Sequence, residues 1–245
     1  MQVETHTWWT PVLDEEMECR DYGHAGQPLL GFPSFGGRVW DLEGFGMVDA
    51  LGPLIEAGRV RLFAVDGIDR QSWADRSVTL PARGRRHEAF DRYLADELTP
   101  FIQQRSGRPA LWSMGCSMGG YHAANLFFRH PDRFDGVIAL SGVYRPPGSD
   151  DGEVDEAFYF NSPLDFLPGL DDRWYLDKYR ASRMVFAVGQ GAWEDPCLAD
   201  TRELQRILEA KRIPAWFDYW GHDVDHDWSS WHRMLPYFLD ALGAG

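Results

Sequence analysis

Residues 110–131 read ALWSMGCSMGGYHAANLFFRHP, and within them Gly115-Cys-Ser-Met-Gly119 joins an apolar strand to an amphipathic helix through one serine. A strand that turns into a helix this abruptly has no room for bulky side chains two residues before and two after the turning residue. Gly115, Gly119 and Gly120 meet that demand. The free N–H groups at the helix start then point at Ser117, where they can stabilise negative charge. Centring the turn on Cys116 instead would put Met114 and Met118 at the two crowded positions, which the turn cannot accept. The pattern therefore offers Ser117 as a nucleophile and commits its strand to a sheet that a helix covers.

The rest of the chain alternates in the same way. Apolar β-rich runs predict strands at 17–22, 28–32, 59–66, 109–113, 136–141, 183–189 and 215–220. Helical periodicity fills 46–57, 87–105, 118–130, 198–211 and 229–242, with a kink or a fresh start expected at Pro100. This is the order of an α/β chain whose central sheet is mostly parallel and covered on both faces. A length of 245 residues fits one domain spanning 1–245. Residues 144–180 lack clear periodicity; they open on prolines and an acidic run (Asp150, Asp151, Glu153, Asp155, Glu156) and then turn aromatic. Too short to fold alone, this stretch reads as a small cap over a site or as a surface excursion.

Charge narrows the partners. With 38 Asp+Glu against 24 Lys+Arg the net charge is -14, which repels phosphate backbones and anionic lipid, so neither nucleic acid nor a membrane surface is expected. The apolar runs are far too short to span a bilayer, and no secretory signal is visible in residues 1–9, so a cytoplasmic protein is expected. Cys19, Cys116 and Cys197 are an odd set without CxxC spacing, which argues against a disulfide framework or a zinc knuckle.

A serine nucleophile needs a base, and in this topology the acid and then the histidine follow it. His122 and His130 fall on the helix after Ser117 and read as packing or capping residues. The segment Trp220-Gly-His-Asp-Val-Asp-His-Asp-Trp228 follows the last strand, where its loop faces the serine; His226 is the expected base and His222 the runner-up. The same segment offers His222, Asp223, Asp225, His226 and Asp227 as metal ligands, but they crowd one short loop without a remote partner, so no metal is assigned. The acid should follow the strand at 183–189, in Gly189-Gln-Gly-Ala-Trp-Glu-Asp-Pro196. Asp195 is favoured there over Glu194.

Together these residues resemble the esterase D-like, feruloyl-esterase-like and mycolyltransferase-like branch of the α/β-hydrolase superfamily. The resemblance runs from about Tyr22 to Leu242. It is carried by Gly31-Phe-Pro-Ser-Phe-Gly-Gly37, Val65-Asp-Gly67, Gly115-Cys-Ser-Met-Gly-Gly-Tyr-His122, His130-Pro-Asp-Arg-Phe134, Ala139-Leu-Ser-Gly142, Asn161-Ser-Pro163 and His226-Asp-Trp228. It implies an α/β-hydrolase fold with Ser117 as nucleophile, His226 as base and a carboxylate after the 183–189 strand. It also implies an oxyanion hole whose first donor is the backbone N–H of Met118. Relatives often have His-Gly after the strand at 28–32; here the loop reads Pro33-Ser-Phe-Gly-Gly37, leaving the second donor between Phe35, the preferred choice, and Gly36.

The chemistry implied is attack of Ser117 on a small-molecule carboxylic ester through an acyl-enzyme, without a cofactor. Trp73, Trp193, Trp228 and Trp231 fall near the expected site loops; the first three could wall an acyl or aryl group, although tryptophan equally fills cores, the reading that suits Trp231 better. An acyltransferase using the same intermediate is the alternative reading, and a non-catalytic binding protein on the same fold a third. Oligomeric state is not legible in the sequence.

Overall fold

A computed structural model describes residues 1–148 and 153–244. Among these residues eight strands form one sheet: β1 (Val3–Thr10), β2 (Glu15–Tyr22), β3 (Gln27–Phe32), β4 (Val60–Val65), β5 (Leu111–Cys116), β6 (Phe134–Leu140), β7 (Arg183–Val188) and β8 (Trp216–Tyr219). Their order is β1-β2-β4-β3-β5-β6-β7-β8; β2 runs antiparallel to both β1 and β4, and every pairing from β4 to β8 is parallel. The fold is the mostly parallel α/β architecture expected from the alternation of elements.

Ten α-helices among the described residues connect or flank these strands: α1 (Asp41–Gly44), α2 (Met47–Glu56), α3 (Leu80–Tyr93), α4 (Thr99–Ser106), α5 (Met118–Arg129), α6 (Glu156–Tyr159), α7 (Pro163–Gly169), α8 (Arg173–Ala181), α9 (Asp195–Ala210) and α10 (Trp228–Ala241). Central strands are buried on both sides, so successive residues feed two cores. On β6, Val137 and Ala139 join Phe90, Phe127 and Leu204 from α3, α5 and α9. Ile138 and Leu140 face the other way, towards Leu51, Ile55, Leu235 and Phe238 from α2 and α10.

Two local features depart from the sequence reading. β1 was not expected, because VETHTWWT is half polar; as the edge strand it buries only one face and alternates exposed with part-buried residues. The helix expected at 87–105 begins earlier and is divided. Pro100 has no N–H for the carbonyl of Asp96, and the chain passes through a π turn at Leu94–Leu98 before α4. Thr99 Oγ1 donates to the Leu94 carbonyl at 2.7 Å there.

Among the described residues of the 144–180 stretch the structure places three short helices, the last ending at Ala181. α6 packs on α3, and α7 lies against α5 and α9. Asp150 and Asp151 of the acidic run lie outside the described residues. The parallel strands all point the same way, so the segments after β3, β5, β6, β7 and β8 gather at one edge of the sheet, where sites in such folds are built.

Candidate active site

Ser117 sits between β5 and α5 with φ 57° and ψ −124°, a left-handed conformation unusual for a residue with a side chain. Neighbouring glycines make the turn feasible. A Cβ on Gly115 would stand 2.2 Å from the backbone of Gly119, and one on Gly119 would stand 2.6 Å from the Pro33 carbonyl oxygen. The Ser117 N–H donates to the Leu140 carbonyl at 2.9 Å, tying the turn to β6. Met118 opens α5, and its N–H finds no acceptor among the described residues, as expected for the first turn of a helix.

The loop after β8 brings His226 to this serine across 109 residues, with Nε2 2.9 Å from Ser117 Oγ. Its other ring nitrogen, Nδ1, lies 3.1 Å from Glu194 Oε2. The His226 N–H is held by the Ala192 carbonyl at 3.0 Å, and Asp225 Oδ1 accepts the Ala192 N–H at 2.7 Å, so the loops after β7 and β8 fix each other. His222 is exposed, and its Nδ1 meets the carbonyl of Gln190 at 3.1 Å.

The carboxylate against His226 is Glu194 and not Asp195, the residue favoured from sequence. Asp195 is the first residue of α9 and is exposed, where its charge suits the helix N-terminus. Glu194, one residue earlier, is fully buried. Its Oε1 accepts the hydroxyl of Ser141 at 2.6 Å and the N–H of Gly189 at 3.2 Å. Ser141 Oγ accepts the indole N–H of Trp231 at 3.0 Å, and the same indole meets the His226 ring edge-on at 5.0 Å. Trp231, expected near the site loops and read as a core residue more than a wall, is buried; Ser141 was not singled out as a site residue. Ser141 carried a visible signal, its place directly after β6 beside the serine turn.

In the loop after β3, Gly36 donates its N–H to Asp69 Oδ2 at 2.9 Å and Gly37 donates to the Ser34 carbonyl at 2.9 Å. The Phe35 N–H has no such acceptor among the described residues. β3 pairs Phe32 with Gly115, which lays this loop alongside the serine turn.

The three tryptophans separate. Trp73 is 1 % exposed and packs with Leu80, Met118, Tyr121 and Phe158, a core position and not a wall of an open site. Trp193 is 86 % exposed in the loop just before Glu194, and Trp228 stacks on Phe45 with centroids 5.0 Å apart. Cys116 and Cys197 are both buried, and burial pushes both thiols up, Cys197 to about 12. Glu194, Cys197 and His226 bring three ligand-type atoms within 4.8 Å of one another, the one such group near the serine among the described residues. His226 Nδ1 already faces the Glu194 carboxylate within it.

A family described as "Putative esterase" matches residues 41–241. The chain belongs to this esterase family. No curated protein sequence matches it. Among solved structures, a ferulic acid esterase is similar over 100 % of this chain and 98 % of its own, with 19 % identity and a TM-score of 0.77. An S-formylglutathione hydrolase from Agrobacterium tumefaciens is similar over 99 % and 95 %, with 14 % identity and a TM-score of 0.75. The fluorophosphonate-binding serine hydrolase F of Staphylococcus aureus covers 100 % and 99 %, at 14 % identity and a TM-score of 0.68. At these identities the likeness is one of fold. The esterase thus has the α/β-hydrolase fold, and no helix among its described residues is long and apolar enough to cross a membrane.

Proposed function

We propose that this esterase is a serine carboxylesterase that cleaves small-molecule carboxylic esters through an acyl-enzyme on Ser117. The observation that carries the proposal is the continuous contact from Ser117 Oγ to His226 Nε2 at 2.9 Å and from His226 Nδ1 to Glu194 Oε2 at 3.1 Å. His226 takes the hydroxyl proton as Ser117 attacks the ester carbonyl, then returns it to the leaving alcohol. Buried Glu194 holds the Nδ1–H tautomer and stabilises the imidazolium. Negative charge on the carbonyl oxygen is met by the N–H groups of Met118 and Phe35, the latter preferred because Gly36 has already given its N–H to Asp69. Water, activated by the same imidazole, then releases the acid. Trp193 and Trp228, flanking the loops that carry Glu194 and His226, offer flat faces to an acyl or aryl group.

The test is covalent labelling with a fluorophosphonate, alongside turnover of a panel of esters varied in acyl length and aryl content. Wild type is expected to label once and to hydrolyse at least one ester, and Ser117→Ala to do neither while remaining folded. Turnover that survives Ser117→Ala in purified protein would overturn the proposal.

A further inference from the structure

The two N–H groups that meet the oxyanion come from separate segments. Met118 opens α5, whereas Phe35 lies in the loop after β3. For both to bind one oxygen atom, the loop must be held against the helix to a fraction of an ångström. A buried pair of side chains makes that connection. His122 lies one turn beyond Met118 on α5, and its Nε2 stands 2.9 Å from Asp69 Oδ1. The second oxygen, Asp69 Oδ2, accepts the N–H of Gly36 at 2.9 Å, and that N–H belongs to the peptide that follows Phe35. Both side chains are 2 % exposed.

Each member of the connection is fixed from a further side. Asp69 lies in the turn after β4, where its carbonyl accepts N–H groups from Ser72 and Ala74 at 3.1 and 2.8 Å. Arg70 Nε donates to the Gly36 carbonyl at 3.2 Å, so Gly36 is gripped at both ends. Gly36 has φ +67°, a conformation that leaves its N–H free to turn towards Asp69. The His122 ring stacks on His87 at 5.3 Å and contacts Phe32, the last residue of β3, at 5.7 Å. A carboxylate this deeply buried is costly unless paired. Simple filling of the core would be served by an apolar side chain, which could not accept the Gly36 N–H.

We infer that Asp69, held by His122, is a positioning residue for the oxyanion hole: it sets the Phe35 N–H in register with the Met118 N–H. The inference rests on the Ser117 reading given above. Asp69 touches no reacting atom; it acts on the peptide that orients Phe35.

The experiment compares a reactive ester with its thionoester, whose sulfur accepts hydrogen bonds poorly, in wild type, Asp69→Ala, Asp69→Asn and His122→Phe. A loosened loop lowers kcat for the ester by about 10- to 100-fold in Asp69→Ala, with KM changed less than about threefold. The thionoester should slow far less, so the ester-to-thionoester rate ratio falls. Asp69→Asn keeps an oxygen for the Gly36 N–H and should recover most of the ratio. His122→Phe retains the ring contacts and should lower the ratio as Asp69→Ala does, which supplies the reading if Asp69→Ala fails to fold. An unchanged ratio in the folded variants, with Ser117 still labelled by fluorophosphonate, overturns the inference alone. A wild type whose Ser117 does not label overturns the serine reading and the inference with it.

Discussion

Ser141 Oγ stands 2.6 Å from Glu194 Oε1 and at the same time accepts the Trp231 indole N–H at 3.0 Å. One hydroxyl thus aims a buried carboxylate at His226 and fixes the indole that edges the same ring. Ser141→Ala leaves the indole N–H without its acceptor and removes one of the groups that orient Glu194, a loss on the scale of about 1–3 kcal/mol for a buried polar group. Turnover should fall about tenfold, with fluorophosphonate labelling slowed but complete, as followed by the labelling time course.

Exchanging each neighbouring carboxylate for its amide separates the two acids. Glu194→Gln should lower kcat by on the order of 10⁴-fold, the scale for a triad carboxylate, while leaving the protein folded. Asp195→Asn changes only an exposed charge at the start of α9 and should stay within about twofold. Steady-state turnover of one ester by the two variants decides the matter; loss in Asp195→Asn alone would return the acid to Asp195.

The thiols should be silent in the folded protein. Burial disfavours the thiolate at Cys19, Cys116 and Cys197, pushing Cys197 up to about 12 and the other two higher still. In the unfolded chain they ionise near pH 8.5. A disulfide-exchange reagent at pH 8 should therefore titrate none of the three until urea is added. By the same linkage the folded state retains protons that the unfolded state loses, so stability should decline as pH rises past about 8.5. Rapid reaction of Cys116 in native protein would reopen the cysteine reading.

Trp193 has φ 66°, in the left-handed region, and is 86 % exposed beside Glu194. Glycine adopts that conformation without the cost of about 1 kcal/mol or more that a side chain incurs. Trp193→Gly should hold or raise the melting temperature, yet increase KM for aryl esters several-fold more than for acetate esters. An unchanged KM for aryl esters would remove Trp193 from the acyl-binding wall.

Acid stability should trace partly to His87. Complete burial and the neighbouring imidazole of His122 hold its pKa well below 6.5. Below about pH 6.5 the unfolded chain takes a proton at this position that the folded protein refuses, so stability is lost as pH falls from there towards the folded value. The slope from one such proton is about 1.4 kcal/mol per pH unit. His87→Phe keeps the ring contacts with Trp73 and Phe90 and should flatten that acid limb, measured by urea unfolding at pH 5 and pH 7.

The strand–serine–helix turn was legible because it is a local constraint. Gly115, Gly119 and Gly120 have to lack side chains wherever the chain turns this way, and central strands buried on both faces read as apolar runs. β1 was not legible, since an edge strand needs only one apolar face and VETHTWWT shows a weak alternation. Trp73 and Trp193 illustrate a second limit: sequence placed both near the site loops, and only packing put one in the core and the other in solvent.

By itself, then, the sequence determined the α/β class through the alternation of elements and the esterase family resemblance through motifs spread from about Tyr22 to Leu242, and it put forward Ser117 and His226 from their own short segments. Tertiary structure decided which carboxylate faces His226, because Glu194 and Asp195 are adjacent and carry the same kind of group. Their difference lies in the start of α9, which turns Asp195 to solvent and Glu194 inward to Ser141 and Gly189. It also decided that Asp69 and His122 meet beneath the loop after β3. Their hydrogen bond joins residues 53 apart in the chain, and no local pattern encodes a contact that forms only when the sheet brings β3, β4 and β5 side by side.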